Sequence, residues 1–344
     1  MVSAVLKSKT RIWRARRWAL SLLAIAVSCT ALAACGSDSS KSGSGDGGST
    51  DHGSKLIVAA MGFPCSLNDF AKSLCAGFEA GEKALPPGFT FELKTGTDYA
   101  DQTGFNNLIQ TSTQLNPGGL IVFPSGPVAQ APVVKQACAK GVKVIIIDNP
   151  LEGLGKCQSS YIAANNRTLG RLVGTWLTEH PPASKEVGIV SFPPGQETAM
   201  DERVRGFREV VEAAGFKVVA MVPTDLSLDK TRTQVTNMLT AHPDLGAILS
   251  GNDQLGYGTA QAVAHSSSPR IVQLTIDGAL DAVKRIPHGL SADAAQDPYF
   301  AGRQSVLNMA KLLQGKKIPA VVEEETQLID ETNAQEYIQA GGAR

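Results

Sequence analysis

The sequence predicts an α/β protein made of two doubly wound lobes, each a parallel sheet covered by helices on both faces. Three observations predict it. From Lys55 onward, short apolar runs alternate with amphipathic stretches. The runs are rich in Val and Ile and barely alternate, as suits strands buried on both faces. They also fall into two successive series, which implies two sheets rather than one.

The first series is KLIVAAM (55–61), FTFELK (89–94), GLIVF (119–123), VKVIIID (142–148) and YIAA (161–164). The second is VGIVSF (187–192), FKVVAMV (216–222), LGAILS (245–250), RIVQLTI (270–276) and GLSADAA (289–295). Between runs, Leu169, Leu172, Val173, Trp176 and Leu177 share one helical face. Val204, Phe207, Val210 and Val211 do the same, and Gly215 is placed to end that helix. Asp297-Pro298 reads as an N-cap with proline at the first helical position. Ligands of open parallel sheets sit beyond the carboxyl ends of the strands. That rule points to Phe63, Asp148, Asn149, Asn165, Asn166, Asn252, Asp253, Asp277 and Gln296. Nearly all are polar, and a cleft between the lobes is the expected site. An Asp or Asn after a strand also serves as a helix N-cap, so each residue alone is open to that simpler role.

In front of the lobes, residues 1–34 carry Lys7, Lys9, Arg11, Arg14, Arg16 and Arg17 and no acid, followed by an uncharged run. That pattern is a secretory signal, and the run is short for a membrane-spanning helix. Leu32-Ala33-Ala34-Cys35 resembles the lipobox of bacterial lipoproteins, which implies cleavage before Cys35 and acylation of it. Residues 35–54 are then a Gly/Ser/Asp tether, with a reach of roughly 25 Å. Loss of the leader's six positive charges leaves 26 basic against 32 acidic residues. No basic patch stands out, so nucleic acid is not an expected partner.

Cys29 leaves with the leader and acylation takes Cys35, which leaves Cys65, Cys75, Cys138 and Cys157 in an oxidising compartment. Three connectivities are open to four cysteines. Cys138, near a helix end, and Cys157, before the strand at Tyr161, belong at the sheet edge where parallel strands begin, within disulfide reach. Cys65 and Cys75 flank the first helix start and are the other candidate pair; buried free thiols are the alternative for both. GLGKCQ (153–158) lacks the glycine spacing and the Ser/Thr of a phosphate loop. His52, His180, His242, His265 and His288 are scattered, so neither a metal site nor a cofactor is expected. No nucleophile is assembled with a base, which argues against an enzyme.

The words VIIIDNP, YIAANNRTLGRLVG, RGFREVVEAAGF, LTAHPDLGAILSGND, LTIDGALDAV and AAQDPYFAGRQSVLNMAKLLQGK, in this order, resemble the ribose- and galactose-type periplasmic solute-binding proteins that feed ABC importers. The resemblance implies the type I periplasmic binding protein fold, with three crossover segments between the lobes. It divides the chain into an N-terminal lobe, 55–163 plus 297–325, and a C-terminal lobe, 164–296 plus 326–344. It implies a small-molecule solute, ABC permease subunits as partners, a lipid-anchored monomer and no cofactor. Asp148, Asn252, Asp277 and Gln296 match polar ligand contacts of the family, and Asn68 and Phe70 match its polar residue and stacking ring at the first helix. Phe63, in a longer loop, is a candidate second aromatic wall.

Departures bear on the ligand. The family's ribose binders have Arg where this chain has Asn149, and another Arg aligned with Asp201. A pocket Phe aligns with Leu226, and Ile276 precedes Asp277 in place of an aromatic residue. With two guanidinium groups missing, the expected ligand is a polyol, an amino sugar or a cationic solute rather than ribose. Arg203 and Arg205 are candidates to restore charge, although Arg205 also stands in register to pair with Asp201. The expected role is an extracytoplasmic receptor for an ABC importer. The alternative is a sensory binding protein that presents its closed form to a membrane kinase or chemoreceptor.

Overall fold

The computed structural model describes residues 55–266 and 270–342. The expected leader, the lipidation position Cys35 and the tether lie outside the described residues. In chain order the elements are β1 (Leu56–Met61), α1 (Asp69–Lys83), β2 (Thr90–Thr95), α2 (Gln102–Gln114), β3 (Gly119–Phe123), α3 (Ala131–Ala139), β4 (Lys143–Ile147) and β5 (Gln158–Ala163). The chain continues through α4 (Asn166–Glu179), β6 (Glu186–Ser191), α5 (Thr198–Ala213), β7 (Lys217–Pro223), α6 (Leu228–Ala241), β8 (Leu245–Ser250), α7 (Asp253–Ala264) and β9 (Val272–Asp277). It ends with α8 (Leu280–Val283), β10 (Ala292–Ala295), α9 (Pro298–Leu313), β11 (Val321–Glu323), β12 (Gln327–Ile329) and α10 (Ala334–Ala340).

Two six-stranded sheets result, in the orders β11-β5-β4-β3-β1-β2 and β12-β10-β9-β8-β6-β7. Pairing is parallel except for β12, which runs antiparallel to β10. The central strands are apolar on both faces because both faces are covered: Ile121 and Ile145 join one core with α1 and α9, and Leu120 and Ile146 join another with α2 and α3. The second sheet repeats the scheme through Ile189 on one face and Val190 on the other. Helix ends follow local chemistry. Gly215, at φ +83°, follows α5 in a left-handed conformation that other residues avoid, and Asp297 caps α9 by accepting from Phe300 N at 2.8 Å.

The chain passes between sheets at 164–165, 296–297 and 324–326, between the ends of β5 and α4, β10 and α9, and β11 and β12. Glu324 ties the three passages together. Its N–H donates to Ala163 O at 3.0 Å, and its Oε2 accepts from Asp297 N at 3.0 Å. Disulfides join Cys65 to Cys75 and Cys138 to Cys157, with Cα separations of 5.9 and 5.7 Å. Among the described residues, no helix is long and apolar enough to cross a membrane.

Candidate functional site

The carboxyl ends of the two sheets face one cavity. It has about 450 Å³ of empty space counting its mouth, of which about 50 Å³ is open to the centre of a water-sized group. The first sheet's lobe contributes Phe63, Asn68, Phe70, Tyr99, Phe123 and Asp148. The second contributes Phe192, Glu197, Arg203, Leu226, Asn252 and Asp277, and Gln296 comes from a crossover.

Asp148 follows β4 with φ +61°. Its main chain is fastened on both sides: its N–H donates to Ile162 O at 2.9 Å, and its carbonyl accepts from Tyr161 Oη at 2.6 Å. The residue is 6% exposed, and its carboxylate has no hydrogen-bond partner among the described residues. Asp277 ends β9 at φ +137°, a conformation L-residues rarely adopt. The following turn holds it there: Asp293 Oδ1 accepts from Gly278 N at 3.1 Å and Asp253 Oδ2 from Ala279 N at 2.7 Å. One oxygen of Asp277 accepts from Arg203 Nη1 at 2.9 Å and from Gln296 Nε2 at 2.8 Å. Arg203 is itself pinned, donating from Nε to Asn166 Oδ1 at 2.7 Å and from Nη1 to Gly251 O at 3.0 Å.

Asn68 and Asn252 each combine two roles. Each caps a helix through Oδ1, accepting at 2.9 Å from Ala71 N and Leu255 N respectively, and each lines the cavity. Phe63 and Phe123 meet edge to face at 5.0 Å, Phe63 lies 5.5 Å from Tyr99, and Tyr99 reaches Phe192 of the other lobe at 6.1 Å. Such rings cover the apolar face of a small solute at little conformational cost.

Three carboxyls therefore surround one guanidinium. Burial raises the pKa of Asp148 to about 7, and the neighbouring Glu197 adds to the shift while Arg203 opposes it. Burial also raises Glu197 and Asp277. Burial pulls Arg203 down, but the charges of Asp277, Asp148 and Glu197 outweigh it and leave its pKa raised. Removing either member of a buried, hydrogen-bonded pair such as Arg203–Asp277 strands the other charge. Among the described residues, no group of three or more His, Cys, Asp or Glu is arranged to hold a metal ion.

Three expected contacts do not line the cavity. Asn165 caps α4 by accepting from Thr168 N at 3.1 Å and is exposed in a separate groove. Asp201 accepts from Gly195 N at 2.8 Å and faces an outer groove, because its position in α5 turns it away from the cleft. Asn149 is buried beside the cavity and turned from it, donating to Glu197 Oε1 at 3.0 Å and to Pro124 O at 3.2 Å. Of the two candidates to restore charge, Arg203 lines the cleft. Arg205 pairs with Glu202 rather than Asp201. Tyr99, Phe192 and Glu197 carried no motif and were not anticipated.

The model of the family described as "Periplasmic binding protein domain" matches residues 60–317. The D-ribose/D-allose-binding protein of Pseudomonas aeruginosa is 27% identical over 256 residues, 72% of this chain and 80% of its own length. The ribose import binding protein of Escherichia coli K12 is 28% identical over 249 residues, 67% and 83% of the two chains. Among solved structures, an ABC transporter solute-binding protein of Mycobacterium smegmatis with bound glycerol is similar at a TM-score of 0.75 and 25% identity, over 83% of this chain and 97% of its own. The fold, the cleft and the family match agree, and the chain belongs to the periplasmic binding protein family.

Proposed function

We propose that this protein is an extracytoplasmic solute-binding lipoprotein that captures one small polar solute, a sugar, polyol or amino sugar, between its lobes and delivers it to an ABC permease. The reading is of a monomer that binds its solute without transforming it, moored by an acyl chain on Cys35. The observation that carries it is the convergence of Asp148 from one lobe with Asn252, Asp277 and Arg203 from the other on a single aromatic-walled cavity. A carboxylate offers four acceptor sites and bridges adjacent hydroxyls, while amides supply both donors and acceptors. Each charge-assisted bond is worth about 1.5–3 kcal/mol once water is excluded. A solute held from both sides favours the closed arrangement by its differential affinity, and closure creates the surface a permease can read. The names of the relatives, which include ribose and allose binders, support a hydroxyl-rich ligand.

A thermal-shift screen against sugars, polyols, amino sugars and amino acids tests the proposal. At a hundredfold excess over Kd the true ligand stabilises the fold by about 2.7 kcal/mol. A response confined to amino acids, or no response to any polyhydroxy compound, contradicts it.

A further inference from the structure

The cavity is lined by three acids, Asp148, Glu197 and Asp277, and, among the described residues, by one cation, Arg203. That cation is already committed. Arg203 is buried, pairs with Asp277 at 2.9 Å, and spends its other donors on Gly251 O and Asn166 Oδ1. Asp277 therefore has its counter-ion, and two carboxylates do not. Glu197 immediately precedes α5 without capping it. Its oxygens accept from neutral donors of the opposite lobe, Tyr99 Oη at 2.5 Å and Asn149 Nδ2 at 3.0 Å, which bridges the lobes. The Asp148 carboxylate has no partner at all among the described residues. Glu324, buried at the crossovers, is a further acid near enough to feel the Asp148 charge.

Neutral donors spread a buried charge but do not cancel it, and a buried carboxylate without a counter-ion tends to take up a proton. Asp148 follows that rule: burial, and then the charge of Glu197, raise its pKa to about 7. A neutral polyol leaves this shortage of positive charge as it was, whereas an ammonium cancels it. The walls suit the same group. Phe63, Phe70, Phe123, Tyr99 and Phe192 form a chain of rings with neighbouring centroids 5.0 to 6.1 Å apart, and ring faces attract a cation. Rings stack on a neutral sugar as well, so it is the unpaired carboxylate beside them that selects the ammonium. The amide nitrogens of Asn68 and Asn252, and Gln296 Oε1, a buried atom with no hydrogen-bond partner, remain for hydroxyls, which both donate and accept.

We propose that the solute of this cleft is an amino sugar or amino polyol, whose ammonium binds the Asp148 carboxylate among the rings while its hydroxyls engage Asn68, Asn252 and Gln296. The proposal rests on the reading of the cleft as a site for polyhydroxy solutes and selects one class within it. Asp148 contacts any solute the cleft takes, so its replacement changes affinity for all of them. The informative quantity is therefore the ratio between an amine and its neutral counterpart.

Calorimetric titrations at pH 6.5 with matched pairs test it: D-glucosamine against D-glucose, D-galactosamine against D-galactose, and serinol against glycerol. In the pair that fits, the wild type should bind the amine about tenfold or more tightly than its neutral partner. Asp148→Asn, which keeps the size of the side chain and removes its charge, should collapse that ratio toward one, whereas a merely structural role would weaken both members alike. Amine binding to the wild type should also release protons from Asp148, read as an enthalpy that varies with the ionisation enthalpy of the buffer. Neutral solutes bound as tightly as the amines overturn the choice of class and leave the solute-binding reading standing. A preference for amines unchanged in folded Asp148→Asn overturns the role given to Asp148. If that variant does not fold, proton release decides, and amine binding without it overturns the same role. No binding of any of the six overturns both the choice of class and the reading beneath it.

Discussion

Asp148 and Asp277 present their carboxylates to the cleft from backbone conformations that most residues avoid, at φ +61° and +137°. Asp tolerates the first of these better than most residues and Asn equally well, so Asp148→Asn alters the charge with little strain. In the folded protein burial raises the Asp148 pKa to about 7, against about 3.9 in an unfolded chain. Between those values the folded state holds a proton that the unfolded state has released, so stability contributed by this group is full below pH 4 and lost as pH rises through 7. The asparagine variant has no such loss. Without ligand it should be more stable than wild type at pH 8, on the order of 2–4 kcal/mol, and the advantage should vanish near pH 4. Scanning calorimetry at pH 4, 6 and 8 checks this, and a pH-independent difference would refute it. The placement of Asp148, Asn252, Asp277 and Gln296 was legible because each lies at the carboxyl end of a strand or within two residues of it. Arg203 was legible only as one of two candidates to restore charge, because it sits inside a helix: a shift of two residues, from Asp201 to Arg203, turns a side chain about 200° around the axis. Tyr99 and Glu197 meet across the cleft from loop positions far apart in sequence, and neither segment has a pattern that marks the encounter.

The element that positions Arg203 is a crossing of α4 and α5 so close that backbones touch. A Cβ on Gly170 would lie 2.0 Å from Arg203 O, and one on Gly206 would lie 2.1 Å from Arg167 O. Gly170→Ala should therefore push α4 away from α5, cost about 1–3 kcal/mol as overpacking, and weaken solute binding by displacing Arg203 from Asp277. Urea denaturation and a binding titration on the same variant test both parts, and wild-type values in both would contradict the account. The Cys138–Cys157 bridge pins the end of α3 to the start of β5 across 19 residues. Cys138→Ser/Cys157→Ser should lose about 2–4 kcal/mol of stability, measurable in urea, while solute affinity stays near wild type because the bridge is not at the cavity. Ten of the strands are announced by apolar runs. Strands β11 and β12, VVE and QLI, are three residues each and pair only at a sheet edge, too short for periodicity to show.

The whole molecule is organised by the three passages near Glu324 and by bonds across the cleft. Besides the Glu197 bridge, Tyr257 Oη of α7 donates to Asp69 Oδ2 of α1 at 3.3 Å. The two series of β-α units made the two-lobed plan legible, since each series closes into its own sheet. How the lobes meet was not legible, because side-chain contacts between distant segments leave no periodic trace. The central claim is that one solute is gripped from both lobes at once. The most direct test is titration with the tightest ligand from the screen against Asp148→Asn, which alters one lobe, and Asn252→Ala, which alters the other. The account predicts one site in the wild type and a loss of tenfold or more in each variant, as expected for a lost hydrogen bond to a charged group or an anchoring amide. Wild-type affinity in either variant, with its fold intact, would contradict it.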